Sequence, residues 1–187
     1  MMQSNDKVTL LRDVEAVVVP MGAPATLEKG EEAMITQTLG GTYTVICAGN
    51  MYRIEGANAD ALGLETVSDT IQARSDGAAA TEDDILRCAW DQMKGVYDPE
   101  IPVNIVDLGL VYGCNIGPLE DGGGYRASIQ MTLTAPGCGM GDHLRMDVQR
   151  RVLAIEGVEE ADVELVWEPQ WSQEMMSEEA KLTLGMI

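Results

Sequence analysis

Period-two alternation marks the clearest element of this chain. From Tyr125 to Thr134, the residues Tyr125, Ala127, Ile129, Met131 and Leu133 oppose Arg126, Ser128, Gln130, Thr132 and Thr134, as in a strand with one core face and one polar face. Val106 to Ile116 reads as its hairpin partner across a loop at Gly117 to Gly124. Val163, Leu165 and Trp167 alternate with Asp162 and Glu164 in a third strand. Two stretches switch to helical spacing. Ile85, Leu86, Ala89, Trp90 and Met93 form one face after the capping-box-like start Thr81-Glu82-Asp83-Asp84, and this helix ends near Gly95. Leu144, Val148, Val152 and Ile155 line a second helix over Asp142 to Ile155, with Gly157 as its stop. Ser177-Glu178-Glu179 suits the cap of a last short helix. The order α-β-β-α-β predicts an α+β core, a three-stranded mixed sheet with helices on one face.

A different pattern precedes this core. Glu15 to Val19 is rich in β-branched residues and stops at Pro20, and Ala33 to Leu39 and Thr42 to Cys47 flank the hairpin signal Gly40-Gly41. A turn at Ala48-Gly49-Asn50 leads into Met51 to Ile54, and Asn58 suits the cap of a short helical turn ending near Gly63. These elements predict a small antiparallel β unit over residues 1–73. Ser75-Asp76-Gly77-Ala78-Ala79-Ala80 then reads as a linker at 74–80, and the core domain occupies 81–187.

Topology brings distant residues together. A hairpin symmetric about its loop sets Asp107 opposite Thr134 and Cys138 near Pro102 and Val103. Asp98-Pro99-Glu100-Ile101-Pro102 is neither helix nor central strand because of its prolines, so it forms a loop at that end. The second helix starts at the same end and runs away from it. The third strand must then run back and return Trp167 and Trp171 to the cysteine. Asp98, Glu100, Asp107, Thr132, Thr134, Cys138, His143 and Trp171 are therefore expected in or around one site.

The chemistry of that site centres on Cys138. Met131 to Gly141 reads as a strand that breaks at Pro136-Gly137, presents the thiol and opens a helix. A thiol at the positive end of a helix dipole, beside amides without helical partners, is shifted toward the thiolate that attacks electrophiles and binds metals. Nearby carboxylates oppose that ionisation. Each residue also has a plain role open to it. Cys138 fits a loop as a small hydrophobe, Asp98 starts a turn before Pro99, and Glu100 is a solvated charge. Asp107 ties a strand start, Thr132 and Thr134 are ordinary strand residues, His143 faces solvent, and the tryptophans pack.

Composition narrows the classes. The net charge is −19, with four basic and ten acidic side chains in residues 1–73 and eight and twenty-one in 74–187. No Lys/Arg cluster appears, which argues against nucleic acid and against anionic membranes as partners. With no apolar run near membrane-spanning length and no signal-like start, a soluble, cytoplasmic protein is expected. Cys47, Cys88, Cys114 and Cys138 are widely spaced and form no Cys-x-x-Cys pair, so neither a disulfide scaffold nor a one-chain zinc site is expected.

Three stretches together resemble the SufT-type metal–sulfur cluster biosynthesis family. They are Tyr97-Asp98-Pro99-Glu100-Ile101-Pro102-Val103-Asn104-Ile105-Val106-Asp107-Leu108-Gly109-Leu110-Val111-Tyr112, then Met131 to Gly141, then Trp167 to Lys181 with Trp171-Ser172 and Met175-Met176-Ser177-Glu178-Glu179-Ala180-Lys181. The likeness covers about residues 81–184. Pro20, Gly30, Thr36-Gln37-Thr38-Leu39-Gly40-Gly41 and Asp60-Ala61-Leu62-Gly63 look like the amino-terminal extension of that type. The resemblance implies a late accessory factor in iron–sulfur protein maturation, and a core related to the carboxy-terminal domain of NifU. The Cys-x-x-Cys pair of that scaffold domain is absent here. Asp98, Glu100, Thr134 and Cys138 fall on matching motif positions, whereas Gly139 stands where the family usually has proline.

The leading expectation is a non-enzymatic assembly factor whose Cys138 is a shared or transient ligand of a labile iron–sulfur cluster. One thiolate is too few for the usual four ligands, so a homodimer, glutathione or a partner supplies the rest. Iron–sulfur carriers or scaffolds and client apoproteins are the partners this implies. Two alternatives stand beside it: a cysteine-dependent enzyme with Asp98, Glu100 or His143 as base, and a thiol-independent adaptor.

Overall fold

The computed structural model describes residues 6–66, 79–98, 101–120, 122–135 and 139–186. It divides into two compact units, Met1–Ser68 and Asp69–Ile187. Most of the expected linker lies outside the described residues.

In the first unit, β1 (Asp6–Thr9), β2 (Val14–Val19), β3 (Ala23–Leu27), β4 (Glu32–Leu39), β5 (Thr42–Cys47) and β6 (Asn50–Glu55) form one antiparallel sheet in the order β1-β4-β5-β6-β2-β3. The turn at Gly40-Gly41 joins β4 to β5, with Thr38 facing Tyr43. Leu10, Val14, Ile35, Val45, Ile54 and Leu62 are buried in its core. A 3-10 helix over Gly56–Leu62 follows β6 and ends at Gly63. Asn58 is not its cap: it lies inside the helix, and its Oδ1 accepts from Arg12 Nη2 at 2.9 Å.

The second unit contains α1 (Glu82–Met93), β7 (Val111–Pro118), β8 (Tyr125–Met131), α2 (Gly141–Leu153), β9 (Val158–Leu165) and α3 (Glu178–Thr183). α1 starts at a capping box in which Thr81 and Asp84 each bond the other's backbone N–H. β8 is central, antiparallel to β7 and parallel to β9. This is the mixed sheet expected from the pattern. α1 lies against β7 and α2 against β9. Ile85, Ala89, Met93, Leu144, Val148 and Val152 close the core with Ala127, Ile129 and Met131 of β8. Arg126, Ser128 and Gln130 are exposed on the other side of the strand. Among the described residues, no helix is long and apolar enough to cross a membrane.

The expected strands of this unit end short of their patterns, β8 at Met131 before Thr134 and β9 at Leu165 before Trp167, and the hairpin partner starts late. Residues 106–110 are turn, and β7 begins at Val111. The cause is Asn104, whose Oδ1 accepts from the backbone N–H of Val106 at 3.0 Å and of Asp107 at 2.9 Å. A side chain that satisfies two successive amides competes with the sheet ladder for them. Further turn bonds run from Leu108 N to Asn104 O at 3.0 Å and from Leu110 N to Ile105 O at 2.9 Å. The apolar residues of the segment still serve the core, since Val103, Ile105, Leu108 and Leu110 are buried. Pro118 faces Tyr125 and Val111 faces Met131, so the ladder ends at Val111. Asp107 therefore does not stand opposite Thr134.

Candidate functional site

The turn at residues 104–110 is the hub of one end of the sheet. From it, Leu110 O accepts from Thr132 N at 2.8 Å and so carries the pairing one step past the end of β8. On the other side, Ile105 N donates to Val96 O at 2.9 Å and Tyr97 bridges Asn104, which sets the adjoining Asp98 at the same end. Asp98 is only 8% exposed. The parallel run of β9 returns the chain here, as expected: Val166 N donates to Met131 O at 2.8 Å. The following segment then lies on the turn. Trp171 Nε1 donates to Leu108 O at 2.8 Å, Ser177 N donates to Asp107 O at 2.8 Å, and Tyr112 OH donates to Pro169 O at 2.7 Å.

The expected site residues are thus placed as follows. Asp98, Thr132, Thr134 and Trp171 belong to segments that meet at this end. Thr132 is buried, whereas Thr134 is half-buried beyond the end of β8. Asp107 is in the turn, where its Oδ2 accepts from Asn104 Nδ2 at 2.5 Å. His143 is half-buried in the first turn of α2. Trp167, just past β9, is 44% exposed. Glu100 and Cys138 lie outside the described residues. Asn104, Gly109 and Tyr112 were not singled out from the sequence as parts of this end. The Asn104-x-x-Asp107 spacing, with a glycine two residues later, was the signal for a side-chain-capped turn.

The described thiols are all held away from the thiolate. Burial, with the carboxylate of Glu31, pushes Cys47 up, and burial with Asp91 does the same to Cys88. Cys114, in the core face of β7, is pushed up to about 11 by burial alone. All three are free of disulfides. α2, by contrast, begins without a side-chain cap, because its N-cap residue is Met140. Met140 itself thus makes no capping bond to the first turn, in contrast to Thr81 at α1 and Ser177 at α3. Among the described residues no group of His, Cys, Asp and Glu side chains could hold a metal ion.

Sequence comparison gives this geometry a family. A profile described as iron–sulfur cluster assembly protein matches residues 89–164, within the second unit. A protein of Porphyromonas gingivalis named Fe-S protein maturation auxiliary factor is 45% identical over 107 residues, 57% of this chain and 93% of that relative. This chain belongs to the SufT-type iron–sulfur cluster assembly family. A further member, the Fe-S protein maturation auxiliary factor SufT of Staphylococcus aureus, is 40% identical over 91 residues, 49% of this chain and 98% of its own length. The crystal structure of a domain of unknown function from Bacillus anthracis shares 37% identity and covers 57% of this chain and 96% of that one, with a TM-score of 0.48. As a family member with a distinct first unit, the chain carries its six-stranded sheet entirely outside the profile match.

Proposed function

We propose that this chain is a cytoplasmic accessory factor in iron–sulfur protein maturation, and that it assists cluster assembly or transfer to client proteins through the thiolate of Cys138. The observation that carries this reading is the 45% identity across 93% of a relative named Fe-S protein maturation auxiliary factor. Two physical features support the role given to Cys138. The three described cysteines are held as thiols, so they offer no competing thiolate near neutral pH. In sequence, Cys138 falls just ahead of α2, whose start has no side-chain cap. The positive end of a helix stabilises a neighbouring anion and so favours the ionised sulfur.

The cluster in this reading is cargo. A single thiolate provides one bond of the usual four, and a scaffold, carrier, client apoprotein or second copy provides the others. Such weak retention suits a group that must leave again. The acidic chain offers no basic cluster for nucleic acid.

Anaerobic reconstitution of the wild-type chain and of Cys138→Ser with iron and sulfide, read by visible absorption, tests the ligand role directly. A parallel assay follows activation of an apo iron–sulfur enzyme. The serine variant should lose both the absorption and the activation. Equal cluster loading and equal activation in the two proteins would remove Cys138 from the mechanism.

A further inference from the structure

We propose that the segment from Pro169 to Ser177 is a strap that positions the end of the sheet holding the candidate site, with Trp171 as its positioning residue. The proposal rests on the functional reading above, in which the working residue Cys138 follows Thr132 and Thr134 in sequence. The strap is held by three hydrogen bonds, two of them onto the turn, from Trp171 Nε1 to Leu108 O and from Ser177 N to Asp107 O, and one from Tyr112 of β7 to Pro169 O. It also presses on Gly109, which sits at φ +73°. A Cβ there would overlap the carbonyl oxygen of Met175 and stand 2.8 Å from its carbonyl carbon, so only glycine lets the two backbones touch.

Anchorage alone does not account for these contacts. Met176 and Ala180 are buried in the core and already fasten this part of the chain. The polar ties end instead on two successive carbonyls of the turn, at the point where the structure branches. One branch passes through Leu110 O to the amide of Thr132. The other passes through Ile105 N and the Tyr97–Asn104 bridge to Asp98. Releasing the turn therefore loosens both arms of the site together while leaving the middle of β8 in place.

Trp171→Phe keeps an aromatic ring, smaller than the indole, and removes the N–H donor. In the full chain, amide hydrogen exchange at Leu110 and Thr132 should accelerate about five-fold, the equivalent of one hydrogen bond, while Ile129 at the centre of β8 stays unchanged. Client activation should fall at a temperature where the variant remains fully folded. Gly109→Ala, which pushes on the strap from the turn side, should give the same local signature where it folds. The proposal fails if Thr132 exchanges at the wild-type rate in Trp171→Phe, or if exchange accelerates uniformly along β8. It also fails if the local change leaves client activation intact. A failure of the thiolate reading appears separately, as undiminished activation by Cys138→Ser, and does not alter the exchange result.

Discussion

Gly141→Ala sets helix propensity against packing at the first residue of α2. Alanine is the better helix former, by up to about 1 kcal/mol, so propensity alone predicts a more stable protein. The structure predicts the reverse. A Cβ on Gly141 would overlap Cδ1 of Leu133 and lie 3.5 Å from its Cγ and 3.6 Å from its Cδ2. Leu133 is buried in the core of the second unit. To regain ordinary carbon–carbon contact its side chain must shift by about 1 Å into packed surroundings. Overpacking of this kind costs about 1–3 kcal/mol, which leaves a net loss of about 1 kcal/mol. Leu133→Val, which shortens the obstructing side chain, should itself cost about 1 kcal/mol and abolish the overlap. Gly141→Ala should then be neutral or stabilising in that background, with a coupling of at least about 1 kcal/mol between the two sites. Trp90, Trp167 and Trp171 are the three tryptophans and all lie in the second unit, so fluorescence during urea unfolding reports on that unit. A higher midpoint for Gly141→Ala in the wild-type background, or the same shift in both backgrounds, refutes the reasoning.

Two other outcomes follow from the same physical terms. The Cys114 thiol, ordinarily near 9.0 and pushed up to about 11 in the fold, keeps its proton when the unfolded chain has lost it. Its contribution to stability is complete below pH 9 and declines toward pH 11, by at most about 3 kcal/mol, so the stability difference between wild type and Cys114→Ala should be flat below pH 9 and shift against the wild type above it. Thr81→Ala removes the hydroxyl that accepts from Asp84 N–H and leaves the backbone half of the α1 capping box in place; it should cost about 1 kcal/mol, with Thr81→Ser close to wild type when both are measured by urea unfolding.

Much of the second unit was legible because its signals are local. The alternation along β8, the capping box of α1 and the apolar face of α2 each depend on residues within one element. The two strands that escaped notice in the first unit are both sheet edges. β1 is four residues with no buried side chain, and β3 contains Pro24, which an edge tolerates and a central strand does not. Edge strands carry weak patterning because only one neighbour constrains them. The Val106–Leu110 stretch misled for another reason. Its apolar residues do face the core, but Asn104 takes the amides that a strand would need, and a period-two reading does not register a side chain bonding the backbone. At the candidate site, the return of β9 toward the end of β8 followed from topology alone. The grip of Trp171 on Leu108 did not, because a backbone carbonyl leaves no mark in sequence.

The distance along the chain between those two residues has a consequence for synthesis. Trp171 and Leu108 are 63 residues apart. While a ribosome is still adding the residues that follow β9, the turn, β7 and β8 can already exist, but the bonds onto Leu108 and Asp107 cannot. Folding during translation therefore leaves this end of the sheet unlatched until Ser177 has emerged. A nascent chain stalled short of that point holds most of its core and lacks the finished site.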